Sequence, residues 1–184
     1  MIEVEKKFRP TKEQLENLLK DCIFIKEVVN HDIYFDYPDY RLFKKEIRLR
    51  ERNGNYELKI GDDEVAGIAE EIEDEEDLKS YLKIEVPLKE FIKDNLIKII
   101  EYTTKRIKYK KDKFAIDVDD LSFGFKCVEI ELMVSDNSET DEAHNKIINF
   151  AQHYGFEIRD VPSKGEEYFR LFKPDIHRKL YGDK

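Results

Sequence analysis

The chain has 184 residues, a formal net charge of −9 and 41% charged residues. That length suits one domain, 1–184, with a core of its own. The acidic balance argues against a nucleic-acid-binding protein, whose footprint is usually basic, and no apolar run approaches the roughly 20 residues of a membrane helix. The first residues lack the basic and apolar regions of a signal peptide. Cys22 and Cys127 are the only cysteines, too few for a disulfide framework, so a cytoplasmic protein is expected. The histidines, His31, His144, His153 and His177, show no zinc-ligand spacing.

In chain order, a first strand is expected over about 2–9, ending at Pro10. With side chains alternating at a period of two, Glu3, Glu5 and Lys7 share one face, opposite Ile2 and Val4. Two carboxylates so placed are close enough to hold a hard divalent cation; the lysine suits an anion. Thr11 and Gln14 form a capping box for a helix over 12–20, with Leu15, Leu18 and Leu19 as its apolar stripe. A long strand follows over 22–37, broken by Pro38-Asp39. Strands 46–52 and 55–60 flank Asn53-Gly54, the strongest short hairpin signal.

Gly61 to Gly67 is expected to be a mobile loop, with a further strand over 68–74. Helical patterns cover about 75–83 and 88–95, the second opened by Pro87. Strands follow over 97–110, 113–119 and 126–134, then a helix over 140–154 stopped by Gly155. A polar loop, Val161 to Gly165, leads to helix from Glu166, interrupted before Pro174. About eight strands, mostly joined by hairpins and interspersed with helices, make an antiparallel α+β protein, and eight strands are enough to close a barrel.

Most strands carry the same device. Arg48, Arg50 and Arg52 share a face, as do Glu57 and Lys59, Glu71 and Glu73, Arg106 and Lys108, Asp117 and Asp119, and Glu129 and Glu131. The opposite faces carry Ile47 and Leu49, Leu58 and Ile60, Ile116 and Val118, and Val128 and Ile130. Two arrangements fit. In one, every charge is solvated, as on many antiparallel sheets. In the other, the helices cover the apolar faces and the charges turn inward, which demands pairing or a charged ligand. Segregation of acids and bases by strand counts against the first, because a merely soluble surface mixes signs, and leaves the two arrangements evenly matched.

These segments, taken in order, resemble the CYTH family of triphosphate tunnel enzymes, and most its thiamine-triphosphatase branch. The resemblance rests on Glu3-Val4-Glu5-Lys6-Lys7, Asp32-Ile33-Tyr34-Phe35-Asp36, Arg48-Leu49-Arg50, Glu57-Leu58-Lys59, Thr104-Lys105-Arg106, Asp117-Val118-Asp119, Phe123-Gly124, Glu129-Ile130-Glu131 and Pro162-Ser163-Lys164 with Phe172-Lys173-Pro174. It implies an eight-stranded antiparallel β-barrel, a triphosphate tunnel, with surrounding helices and charges inside. It also implies metal-dependent release of the terminal phosphate of thiamine triphosphate. Inorganic triphosphate is the alternative substrate; a class IV adenylate cyclase activity and a non-catalytic polyphosphate-binding module stand behind it.

On that resemblance, Lys7, Arg48, Arg50, Lys59, Arg106 and Lys164 bind the phosphates. Lys105, Lys108 and Lys110 are expected at the surface or rim. Glu3, Glu5, Asp117, Asp119, Glu129 and Glu131 offer hard oxygen ligands, suited to Mg²⁺ or Mn²⁺. Glu3, Glu5 and the basic set are the expected catalytic residues, and Glu71 or Glu73 is expected to join the lining. Where animal members carry a tryptophan just before their Leu-Arg-x-Arg strand, this chain has Glu46, and it contains no tryptophan; Tyr34 or Tyr40 would then supply an aromatic face. The expected partner is a small-molecule triphosphate, bound by a monomer or homodimer.

Overall fold

The computed structural model describes residues 2–61 and 70–182, so most of the expected Gly61 to Gly67 loop lies outside the described residues. Eight strands form one sheet: β1 (Ile2–Phe8), β2 (Ile23–Asp36), β3 (Ile47–Arg52), β4 (Asn55–Ile60), β5 (Glu70–Ile72), β6 (Ile97–Lys111), β7 (Phe114–Leu121) and β8 (Lys126–Val134). Their spatial order is β1-β8-β7-β6-β2-β3-β4-β5, with antiparallel ladders. Among the described residues no ladder joins β1 to β5, so hydrogen bonds do not close the sheet. Six helices accompany it: α1 (Lys12–Lys20), α2 (Glu75–Leu82), α3 (Leu88–Asn95), α4 (Thr140–His153), α5 (Lys164–Phe172) and α6 (Pro174–Tyr181).

The chain divides into two compact units, with boundaries inside β2, between Val29 and Asn30, and inside β6, between Thr103 and Thr104. The first unit takes the described residues of Met1–Val29 and Thr104–Ser163. Its core is the apolar face of β1, β7 and β8, where Val4, Phe8, Ile116, Val128, Ile130 and Leu132 are buried. Two helices cover that face. Helix α4 contributes Ala143, Ile147 and Ala151, spaced four residues apart on one stripe. Helix α1 contributes Leu18, and its capping box forms as expected: Gln14 N donates to Thr11 Oγ1 and Thr11 N to Gln14 Oε1. The end of α4 is a Schellman turn. Gly155 N donates to Gln152 O and Phe156 N to Ala151 O, which needs the left-handed conformation Gly155 adopts at φ +76°.

The second unit takes Asn30–Gly61 and the described residues of Glu70–Thr103 and Lys164–Lys184. Its core is again the apolar face of the strands: Ile47, Leu49 and Leu58 meet Leu78 of α2 and Leu88 and Ile92 of α3. The Asn53-Gly54 turn has positive φ at both central residues, 51° and 89°, as a type I′ hairpin requires. Strand β5 covers Glu70–Ile72; of the expected 68–74, residues 68 and 69 lie outside the described residues, and the strand ends two residues early. Helix α5 starts at Lys164, two residues earlier than expected, with Glu166 and Glu167 in its first turn complementing the helix dipole. A short 3-10 turn, Phe43–Lys45, precedes β3 and has no sequence signal of its own.

Asp36 ties this second unit together. Its Oδ1 accepts from Tyr37 N at 2.6 Å and Leu42 N at 3.0 Å, and its Oδ2 accepts from Phe43 N at 2.9 Å. The side chain is fully buried, so these three N–H groups have no water to turn to. Asp36→Ala should therefore cost about 3 kcal/mol. For a chain of this length that lowers the melting temperature by roughly 6–12 °C. A thermal melt of the variant checks it, and Asp36→Asn, which keeps one acceptor, should fall between the two.

Candidate active site

In the first unit β1, β8, β7 and β6 lie in sequence across the sheet, and their register decides which charges meet. Glu5 sits across from Glu131 and Lys7 from Glu129. Asp117 sits across from Glu129 and Asp119 from Cys127. Arg106 sits across from Asp119 and Lys108 from Asp117. The face opposite the helices therefore gathers all six predicted carboxylates with Lys7, Arg106 and Lys108.

Arg106 is the hub. Its Nε donates to Asp119 Oδ1 at 2.8 Å and its Nη2 to Asp119 Oδ2 at 2.7 Å. Nη2 also donates to Glu129 Oε2, while Nη1 lies 2.6 Å from Asp117 Oδ2. Burial would lower the guanidinium pKa, but Glu129, Asp119 and Asp117 outweigh that and raise it. Lys7 Nζ donates to Glu5 Oε1 at 2.8 Å and lies 3.7 Å from Glu129 Oε1. Lys108, expected at the surface or rim, keeps 32% of its side chain exposed while its Nζ donates to Asp117 Oδ2 at 2.7 Å. Lys105 is exposed, 3.1 Å from Glu27, and Lys110 is exposed as well.

Carboxylates outnumber bases two to one on this face, and two features show the imbalance. Asp117 is fully buried, yet among the described residues its Oδ1 has no hydrogen-bond partner. Glu131 is the second. Desolvation first, then the fields of Asp117, Glu3, Glu129 and Glu5, push its carboxyl up to about 9. Among the described residues, Glu3–Glu5–Glu131 and Asp117–Glu129–Glu131 each bring ligand atoms within 4.8 Å of one another. Both are all-oxygen sets, the donor chemistry of Mg²⁺ and Mn²⁺. Asp119–Cys127–Glu129 is a third such set. Cys127 was missed from sequence, although it shares the parity of Glu129 and Glu131.

The second unit presents a different face. Arg50 Nε donates to Glu57 Oε2 at 2.7 Å, and its Nη2 lies 3.7 Å from Glu71 Oε1. Arg52 forks onto Asp32, Nε to Oδ1 at 2.7 Å and Nη2 to Oδ2 at 3.3 Å. Burial would lower the pKa of Arg50, but Tyr34, Glu57 and Asp32 raise it. Arg48 lies over the Phe43 ring at 3.9 Å, and its Nη2 donates to Glu46 Oε2 at 2.7 Å. Lys59 pairs in register with Glu71, which puts Glu71 on this face; Glu73 lies beyond β5. The Tyr34 and Tyr102 hydroxyls share a 3.1 Å hydrogen bond. Tyr40 is buried with its ring edge-on to Phe169, which makes it core. Lys164 is the first residue of α5 and half-buried. Sequence reasoning missed Asp32, Glu57 and Tyr102 as partners of this set; Asp32 and Glu57 share strand parity with Tyr34 and Lys59.

The CYTH domain model matches residues 1–161. The chain belongs to the CYTH family. Human thiamine-triphosphatase is 24% identical to it, over 98% of this chain and 89% of that protein. The PH1819 protein of Pyrococcus horikoshii OT3 has a similar fold, with a TM-score of 0.66 at 22% identity, covering 93% of this chain and 99% of that one. HpAC1 from Hippeastrum, a candidate adenylyl cyclase with a dominant triphosphatase activity, matches with a TM-score of 0.61 at 16% identity, covering 95% of each chain. The eight-stranded antiparallel sheet with helices is the fold expected for a CYTH protein. No helix among the described residues is long and apolar enough to cross a membrane.

The Glu131 shift gives a pH test. Its folded-state value of about 9 lies above the ordinary 4.5, so the native cluster prefers the protonated form. The stability this contributes is complete below the ordinary value and is lost as pH rises toward the folded value. In chelator the melting temperature should fall as pH is raised from 5 to 9, and Glu131→Gln should flatten that slope. Melting curves with EDTA at each pH check both.

Proposed function

We propose that the protein is a Mg²⁺-dependent hydrolase that releases the terminal phosphate of thiamine triphosphate, acting in the cytoplasm. The carrying observation is the buried carboxylate face of the first unit, where Asp117 Oδ1 has no hydrogen-bond partner among the described residues and two all-oxygen sets, Glu3–Glu5–Glu131 and Asp117–Glu129–Glu131, converge. Such a face suits a divalent cation. The likeness to human thiamine-triphosphatase over nearly the whole chain supports the substrate. Residues 1–184 are proposed as one CYTH-like domain; α5, beyond the family match, packs Phe169 against Phe43 within the second unit, rings 5.3 Å apart.

The proposed roles divide by unit. In the first, Glu3, Glu5, Asp117, Glu129 and Glu131 would hold Mg²⁺, with Mn²⁺ able to replace it. Bound there, the ion would neutralise phosphate charge and acidify a water. Lys7 and Arg106 supply N–H donors for phosphate oxygens. Asp119 can join the ligands only by releasing Arg106, which holds both its oxygens. In the second unit Arg48, Arg50, Lys59 and Lys164 are the proposed phosphate-binding set, and Tyr34 the proposed substrate contact. Arg50 and Arg48 are pre-oriented by Glu57 and Glu46, so little side-chain freedom remains to be lost on binding. Phosphoryl transfer asks mainly for positioning and charge neutralisation, which these side chains provide.

Inorganic triphosphate is the second reading, and position 46 favours it. Glu46 offers no ring on which an organic cation could stack, and Tyr34 is buried with its hydroxyl against that of Tyr102. Phosphate release from thiamine triphosphate, inorganic triphosphate and ATP, measured side by side with Mg²⁺ and Mn²⁺, separates the readings. Thiamine triphosphate should be hydrolysed fastest, and Glu129→Ala should slow hydrolysis by at least about a hundredfold. No release from any of the three, with Glu129→Ala indistinguishable from the parent, would remove the proposal.

A further inference from the structure

Six carboxylates line the charged face of the first unit, but they are not equivalent. Asp117 leaves one buried oxygen without a partner. Glu131 has its carboxyl pushed up by burial and then by its acidic neighbours. Asp119 differs from both: each of its oxygens takes an N–H of Arg106, Oδ1 from Nε at 2.8 Å and Oδ2 from Nη2 at 2.7 Å. This is the bidentate fork of a guanidinium on a carboxylate, the strongest and most directional of side-chain pairings. The pair is also in register, Arg106 directly across from Asp119 on neighbouring strands, so the backbone holds both ends of the fork. The other side chain across from Asp119 is Cys127, a soft donor poorly matched to Mg²⁺.

From this geometry we propose that Asp119 is a positioning residue for Arg106 rather than a metal ligand. The inference rests on the reading of this face as a cation- and triphosphate-binding site. Asp117 and Glu129 take the Nη1 and Nη2 edge of the guanidinium, through single contacts at 2.6 Å and 2.5 Å. When a cation takes those two carboxylates, the same edge becomes available to phosphate oxygens. Asp119 keeps Nε throughout and holds the plane of the guanidinium fixed. The metal-free cluster thus stores Arg106 in its working orientation, with carboxylate oxygens standing where phosphate oxygens would be.

The test compares Asp119→Asn with Asp117→Asn, using Mn²⁺ alone as the probe. Free Mn²⁺ is counted by electron paramagnetic resonance, and KM and kcat for triphosphate are measured in parallel. Asp119→Asn should leave Mn²⁺ affinity within about twofold of the parent while kcat/KM falls by about a hundredfold, the scale of a misplaced catalytic contact. Asp117→Asn should weaken Mn²⁺ binding at least tenfold. Arg106→Lys keeps the charge but loses the fork, so it should match Asp119→Asn, and the double variant should be no worse than either alone. It also carries the test if Asp119→Asn does not fold. Loss of Mn²⁺ binding in Asp119→Asn comparable to that in Asp117→Asn would overturn the assignment and favour Asp119–Cys127–Glu129 as a metal set. Absence of Mn²⁺ binding in the parent would instead overturn the reading of the face itself.

Discussion

A sheet whose two faces are both withdrawn from water must settle the charges on one of them. In the first unit α1 and α4 cover the apolar side of β1, β7 and β8, yet the other side is also buried: Asp117 is 0% exposed, Asp119 1% and Glu129 3%. An unpaired carboxylate in such a place is too costly to persist. The chain answers with Arg106, Lys7 and Lys108, and then runs out of bases. Part of the remaining negative charge is removed by a proton on Glu131, whose carboxyl is pushed up to about 9 by burial and its neighbours. A proton and a divalent cation are alternative solutions to the same electrostatic problem, and that equivalence underlies the functional reading.

The second unit solves a milder version. Its arginines are matched nearly one to one by carboxylates: Arg52 by Asp32, Arg50 by Glu57, Arg48 by Glu46. These pairings leave the guanidinium groups charged and fixed but do not consume all of their N–H donors. One face therefore has surplus oxygen acceptors and the other has oriented N–H donors. That division follows from which strands carry Glu-x-Glu or Asp-x-Asp and which carry Arg-x-Arg.

The period-two alternation was enough to sort the faces. Val128 and Ile130 went to the core and Glu129 and Glu131 to the cluster, as the spacing required. Helix boundaries followed from local chemistry, as at Thr11-Gln14 and Gly155. What parity does not carry is register. Nothing in the sequence says that Lys108 meets Asp117, that Glu71 meets Lys59, or that Cys127 lies across from Asp119; each depends on how far one strand slides along the next. The role of Asp36 was hidden for a related reason. Within Asp32-Ile33-Tyr34-Phe35-Asp36 nothing in the spacing sets it apart from Asp32, but its acceptors are spent on the backbone of the turn after β2.

Asp36 and Asp119 show why residue type alone cannot assign a role to a carboxylate. Both are acidic and both are buried. Asp36 takes three backbone N–H groups and Asp119 takes one guanidinium, so neither keeps a lone pair aimed at open space in the way Asp117 Oδ1 does. The distinction lies in the donors each one already satisfies. A ligand-binding carboxylate has to be left short of partners by the fold, whereas a structural or positioning one is saturated by it. Asp117 meets that criterion through Oδ1, and it belongs to the Asp117–Glu129–Glu131 set, whose ligand atoms lie within 4.8 Å of one another. Asp119 would remain on the arginine side of the same cluster.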